Sequence, residues 1–164
     1  VSGKPLEISV KASALLPEEP QSNIKSRPLT HKPYWHAERA RVDHTHKVAV
    51  ELIVNGYPVE TREILADGTV HPLQFKFKPE QSSWIALRMF AAAHTNPIFV
   101  ELNGKPIRAS KRSAQWCIDS VAQCWKSKKP RIRPHERPAA EKAYQYATEQ
   151  YEKRLKESYD DTQR

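Results

Sequence analysis

The chain has 164 residues, 28% of them charged and 38% hydrophobic, and a formal net charge of +8. Such a length suits one domain, or one domain with an appendage, and it buries a core without staples. No apolar run approaches the ~20 residues of a membrane helix, and four Trp, six Tyr and four Phe exclude a wholly disordered chain.

Leu6 to Ala12 alternates apolar and polar residues, the period of a half-buried strand. Residues 15–34 carry Pro17, Pro20, Pro28 and Pro33 among serines and charges, which predicts a long loop. Tyr34–Val42 reads as a strand. Lys47–Asn55 reads as another, with Val48, Val50, Leu52 and Val54 pointing one way. Asn55-Gly56 predicts a hairpin, because both residues tolerate positive φ, and Val59–Leu65 returns from it. Asp67-Gly68 is a second hairpin signal, followed by a strand that alternates Leu73, Phe75 and Phe77 with polar residues. Ser82–Phe90 places Ile85, Leu87 and Met89 on one face. Pro97–Leu102 and Lys105–Ala109 flank Asn103-Gly104, a third hairpin signal. Short strands at this spacing predict an antiparallel, immunoglobulin-like β-sandwich over residues 1–109, with about seven or eight strands.

After Ser110 the period changes. Ala114, Cys117, Ile118, Val121, Ala122 and Trp125 share one helix face, and Ser110 or Ser113 is placed to cap it. Pro130 and Pro134 end that helix. A last helix starts near Pro138, a residue suited to a first helical turn, with Ala140, Ala143, Tyr144, Ala147, Tyr151 and Leu155 as its stripe. The two helices make residues 110–164 an extension packed on the sandwich within the same domain.

Chemistry-bearing patterns are few. Cys117 and Cys124 are seven residues apart, a rise of roughly 10.5 Å on a helix, beyond the ~7 Å a disulfide spans between Cα atoms. They are expected reduced and buried in the apolar stripe. Four glycines build neither a phosphate loop nor a dinucleotide fingerprint, and there is no Gly-x-Ser-x-Gly. Asp43-His44-Thr45-His46 offers two imidazoles in a turn, short of a zinc ligand set, so a solvated loop is expected. His94, Thr95 and Asn96, before Pro97, are a candidate ligand or structural loop; contact with a ligand and satisfaction of stray backbone groups both stay open.

The charge is local. Residues 104–137 hold ten basic and two acidic side chains, while the remainder holds seventeen of each. Lys128, Lys129, Arg131 and Arg133 are candidates for docking onto an acidic partner surface, on a connector kept extended by Pro130 and Pro134. A buried arginine capping the preceding helix is the structural alternative. Nucleic-acid binding through 104–137 would need exposed aromatics among the basic residues, and Trp125 belongs to the apolar stripe.

Several stretches together resemble a known arrangement: Trp35-His-Ala-Glu-Arg-Ala-Arg, Val50-Glu-Leu-Ile-Val-Asn-Gly, Ser83-Trp-Ile-Ala-Leu-Arg, His94-Thr-Asn-Pro-Ile-Phe-Val, Gly104-Lys-Pro-Ile-Arg-Ala-Ser, Ser113-Ala-Gln-Trp-Cys and Gln123-Cys-Trp. It is the β-rich C-terminal module of bacterial CehA/McbA-type metallohydrolases, which follows a PHP-type (polymerase and histidinol phosphatase) metal-dependent domain. The resemblance runs from about Pro33 to Leu155. The chain is too short to hold the metal-binding barrel, so no catalytic or metal-ligating residue carries over and no cofactor is expected. The start at Val1 suggests a processed protein or a fragment. No signal peptide is expected from the first residues, although exported relatives would put the parent in the periplasm or at the outer surface.

The resemblance therefore implies a non-catalytic accessory domain whose partner is the catalytic domain of the same parent protein. The alternative is an independent carbohydrate-binding sandwich, with Trp35, Trp84 and Tyr57 as aromatic faces; for Trp84, core packing is the competing role. Nucleic-acid binding by the basic segment is a second alternative.

Overall fold

The computed structural model describes residues 4–28, 30–31, 41, 45–89 and 93–159. The expected strand Tyr34–Val42 apart from Arg41, with its Trp35, and Asp43 and His44 of the following turn lie outside them. The chain divides into two compact units, Val1–Lys105 and Pro106–Arg164.

Seven antiparallel strands among the described residues form two sheets in the first unit. β1 (Leu6–Ala12) pairs with β4 (His71–Phe77), in a register that sets Ile8 opposite Phe75. The larger sheet runs β3 (Tyr57–Leu65), β2 (Lys47–Val54), β5 (Ser83–Met89). β6 (Ala93–His94) and β7 (Ile98–Val100) pair along β5 beyond it. A short helix, α1 (Ser22–Lys25), interrupts the stretch expected to be all loop.

The sheets share one core because the period of two points their apolar residues inward. Ala12 and Phe75 from the small sheet meet Val50, Leu52, Val54, Ile64, Ile85 and Val100 from the large one. Leu87 and Met89 pack against that cluster. The same alternation turns Trp84, Ala86 and Arg88 of β5 to the outer face.

Two expected hairpins are corrected. Asn55-Gly56 is a true two-residue turn, with φ of 50° and 98°, between the paired β2 and β3. Asp67-Gly68 is not. It carries the chain from β3 in the large sheet to β4 in the small one, and Asp67 instead bridges to Leu15. Asn103-Gly104 turns with positive φ, but residues 105–109 form no strand. Ser82, only 1% exposed, replaces the ladder there: its Oγ accepts from Leu102 N–H (2.9 Å) and donates to the Lys105 carbonyl (2.7 Å). Pro106, with no N–H to donate, prevents the strand from continuing.

The second unit is a helical hairpin of α2 (Lys111–Lys128) and α3 (Arg137–Glu157). Ser110 caps α2, its hydroxyl accepting from Ser113 N–H at 3.0 Å. Tyr159 returns to the start of α2, its N–H donating to the Arg108 carbonyl while its own carbonyl accepts from Lys111 N–H. Arg108 also pairs with Glu157 at 2.7 Å. The basic run is not an extended connector: α2 continues through Lys128, a single 3-10 turn spans Lys129–Arg131, and Arg137 opens α3.

Candidate functional site

The site is built on the outer face of the five-stranded sheet. Its anchor is Asn55, whose positive φ in the β2–β3 turn lets one residue serve β5 three times. Its N–H donates to the Trp84 carbonyl, its Oδ1 accepts from Trp84 N–H (both 2.9 Å), and its Nδ2 donates to Ser83 Oγ at 3.1 Å. Asn55 and Ser83 are buried, so these bonds are shielded from water. The Trp84 backbone is thereby held against the turn, and its indole lies over Gly56, with Cζ2 3.8 Å from where a Cβ there would sit. A Cβ there would only touch the ring, but any other residue would strain a φ of 98° that glycine adopts freely.

Phe99 on β7 lies directly opposite Trp84 in the register. Opposite residues of antiparallel strands hold their Cβ atoms about 4.5–5.5 Å apart, so the two aromatic residues stand side by side on one face. Phe99 is 67% exposed and Trp84 is half-buried. Between them and β2 opens a cleft of about 490 Å³, floored by Ile53 and Ala86. Ile53 is only 5% exposed although it faces away from the core, because these walls cover it.

The far end of the cleft is polar. Arg88 sits opposite Glu51 in the register and donates to its carboxylate through Nε and a terminal nitrogen, each at 2.8 Å. His94 pairs with Arg88 across β6, and its Nδ1 lies 3.1 Å from the Thr95 carbonyl. Since a carbonyl only accepts, the neutral ring that makes this bond has its proton on Nδ1 and an acceptor at Nε2. Thr95 acts as a strand partner where the ladder is interrupted: its N–H donates to the Leu87 carbonyl (2.9 Å) and its Oγ1 accepts from Leu87 N–H (3.1 Å). Of the loop singled out in sequence, His94 and Thr95 line the cleft and Asn96 is exposed beside it. Arg88, Phe99 and Asn55 were missed.

The basic candidates lie in the other unit. Lys128, Lys129, Arg131 and Arg133 are all exposed. Lys129 is 3.6 Å from Glu141 and stands 5.2 Å from the centroid of Trp125, which stacks on Tyr144 at 4.9 Å. It is Arg137 that takes a capping role, donating from Nε to the Ile132 carbonyl at 3.0 Å.

The cysteines are free, as their spacing requires, but half-buried rather than buried. Both line a groove of about 470 Å³ between α2 and α3, with Trp116, Val121, Tyr144 and Tyr151. Two helices alone cannot enclose a stripe this broad, which leaves the thiols at its open side. Cys124 Sγ lies 3.4 Å from Tyr144 Oη. That hydrogen bond, helped by the charge of Lys128, holds the thiol below its ordinary pKa. The same bond, with burial, pushes the Tyr144 hydroxyl up.

Among the described residues no group of three or more His, Cys, Asp or Glu is placed to hold a metal ion, and no helix is long and apolar enough to cross a membrane. No family model, curated protein or solved structure matches the chain.

Proposed function

We propose that the chain is a non-catalytic accessory module of a PHP-like metal-dependent hydrolase, with an immunoglobulin-like sandwich that shapes the substrate cleft of the catalytic domain through its outer sheet face. The observation that carries this reading is a convergence. Three of the stretches that resemble such modules are far apart in sequence and meet at one cleft. Val50–Gly56 contributes Ile53 and Gly56, Ser83–Arg88 contributes Trp84 and Arg88, and His94–Val100 contributes His94 and Phe99. Core packing alone would explain Val50, Leu52 or Ile85. It leaves unexplained a Phe kept 67% exposed next to a Trp locked in place by Asn55.

The exposed basic turn supplies a second, electrostatic contact. Lys128, Arg131 and Arg133 suit an acidic surface on the catalytic domain, and such charges speed and orient association more than they strengthen it.

The test is association. Analytical ultracentrifugation of this chain with the separately produced metal-dependent domain of the same gene product is expected to show a one-to-one complex. Phe99→Ala is expected to weaken that complex about tenfold, the loss of a central aromatic contact. Two species that sediment independently would contradict the proposal.

A further inference from the structure

We infer that the cleft between Trp84 and Phe99 binds a single pyranose ring of a glycan. This rests on the outer sheet face being the module's working surface, and adds the chemistry of what that surface takes. The volume, about 490 Å³, falls within the roughly 300–1,000 Å³ range of small-ligand sites.

The aromatic pair sets the first requirement. An aromatic face carries partial negative charge, and the C–H bonds of a sugar ring, polarised by neighbouring oxygens, carry partial positive charge. Trp84 and Phe99 are register partners, so their rings address one sugar rather than successive units of a chain. Asn55 and Ser83 hold the Trp84 backbone before any ligand arrives, which lowers the ordering cost of binding.

The polar end sets the second. A hydroxyl both donates and accepts, and recognising several needs both kinds of partner in one place. Arg88 and His94 line that end, the guanidinium a donor and the neutral imidazole an acceptor at Nε2, and the Glu51 carboxylate bonded to Arg88 adjoins them. An aliphatic ligand would strip water from Arg88 and His94 without replacing its hydrogen bonds. The Glu51 carboxylate already balances the charge of Arg88, so an anionic ligand gains no net attraction there. A neutral ring with an apolar face and a hydroxylated rim satisfies both ends.

Saturation-transfer NMR tests this with the methyl β-glycosides of glucose, galactose and xylose, and with benzoate as a planar anionic control. At least one glycoside is expected to receive transfer at its ring C–H protons. Phe99→Ala is expected to cut that signal about fivefold or more, the scale of one aromatic contact. Phe99 is exposed, so this variant is expected to keep the parent circular dichroism; Phe99→Tyr, which retains the ring, should restore transfer. Asn96→Ala should change nothing. Transfer to no glycoside, transfer insensitive to Phe99→Ala, or transfer to benzoate alone overturns the inference. If the glycosides fail while the complex with the metal-dependent domain forms, the sugar inference falls and the accessory reading stands. If sugar binds and no complex forms, the accessory reading falls instead.

Discussion

The two units bury their apolar residues to very different depths. In the sheet unit, Leu52 and Phe75 are 1% exposed and Val50 2%. In the helical unit only Ala114 and Ser158 are buried among the described residues, and Trp116 is 69% exposed. The contrast follows from how each element hides an apolar face. A strand shows one row of side chains inward, and a second sheet covers the whole row. A helix stripe spans a wide arc, and one partner helix covers only part of it. The sheet unit is therefore a rigid platform, able to hold Trp84 and Phe99 in place, while the helical hairpin has a groove and a basic turn open to solvent.

The largest effect that sharpens this comparison is Phe75→Ala, expected to cost about 3–5 kcal/mol because the core closes around it. Leu155→Ala, in the half-buried stripe of α3, should cost about 1–2 kcal/mol at most. Chemical denaturation followed by circular dichroism measures both, and equal costs would break the distinction. Ser82→Ala comes next. It leaves the Leu102 N–H and Lys105 carbonyl without their shared partner and is expected to cost about 1–3 kcal/mol. Ser110→Ala removes the α2 cap and should lower the stability of the helical unit by about 1 kcal/mol.

Acid should touch both units through single carboxylates. Asp67 is held below the ordinary carboxylate pKa by hydrogen bonds from the Thr69 hydroxyl and N–H, and Glu157 by its hydrogen bond from Arg108. A depressed folded-state pKa means each contributes stability above its unfolded pKa and loses it as pH falls through the folded value. NMR titration should find both carboxylates below their free-peptide values. Arg108→Gln is expected to return Glu157 upward and leave Asp67 where it was.

The smallest expected effect is that of changing Lys128, Lys129, Arg131 and Arg133 together to Gln. All four are exposed, and such charges contribute under about 1 kcal/mol each, so the unfolding midpoint should barely move. Association with the proposed metal-dependent partner domain should weaken, and the difference should vanish near 1 M salt, where screening shortens to ~3 Å.

Much of the fold was legible because its signals are local. The alternation of Leu6–Ala12 marks β1 with its observed bounds, and Ser110, one of the two cap candidates beside Ser113, marks the start of α2. Asn55-Gly56 marks a turn for the same reason, since its requirement for positive φ is met by the two residues themselves. What was not legible depends on partners distant in sequence. Asp67-Gly68 turns the chain as expected, but which sheet receives the next strand is decided by the match of β4 to β1. β6 is two residues long, too short to show a period. Ser82 looks like any loop serine until the chain brings Leu102 and Lys105 to it.

The site was half legible. The period that sends Ile85, Leu87 and Met89 inward also sends Trp84, Ala86 and Arg88 outward, so core packing for Trp84 ran against its own strand. Phe99 carries no such signal, because Ile98, Phe99 and Val100 are consecutive apolar residues and Ile98 is exposed as well. The pairing of Trp84 with Phe99 is tertiary, set by the register of β5 with β7, and no spacing in the sequence encodes it.

Hydrogen exchange on this chain, alone and mixed with the metal-dependent domain proposed as its partner, tests the central claim most directly. The amides of 94–100, at the open edge of the sheet beside the cleft, are expected to slow on mixing, together with those of the basic turn at 129–136, while the small sheet of β1 and β4 stays unchanged. Unaltered exchange at 94–100, with or without protection elsewhere, would contradict the assignment of the outer sheet face as the working surface.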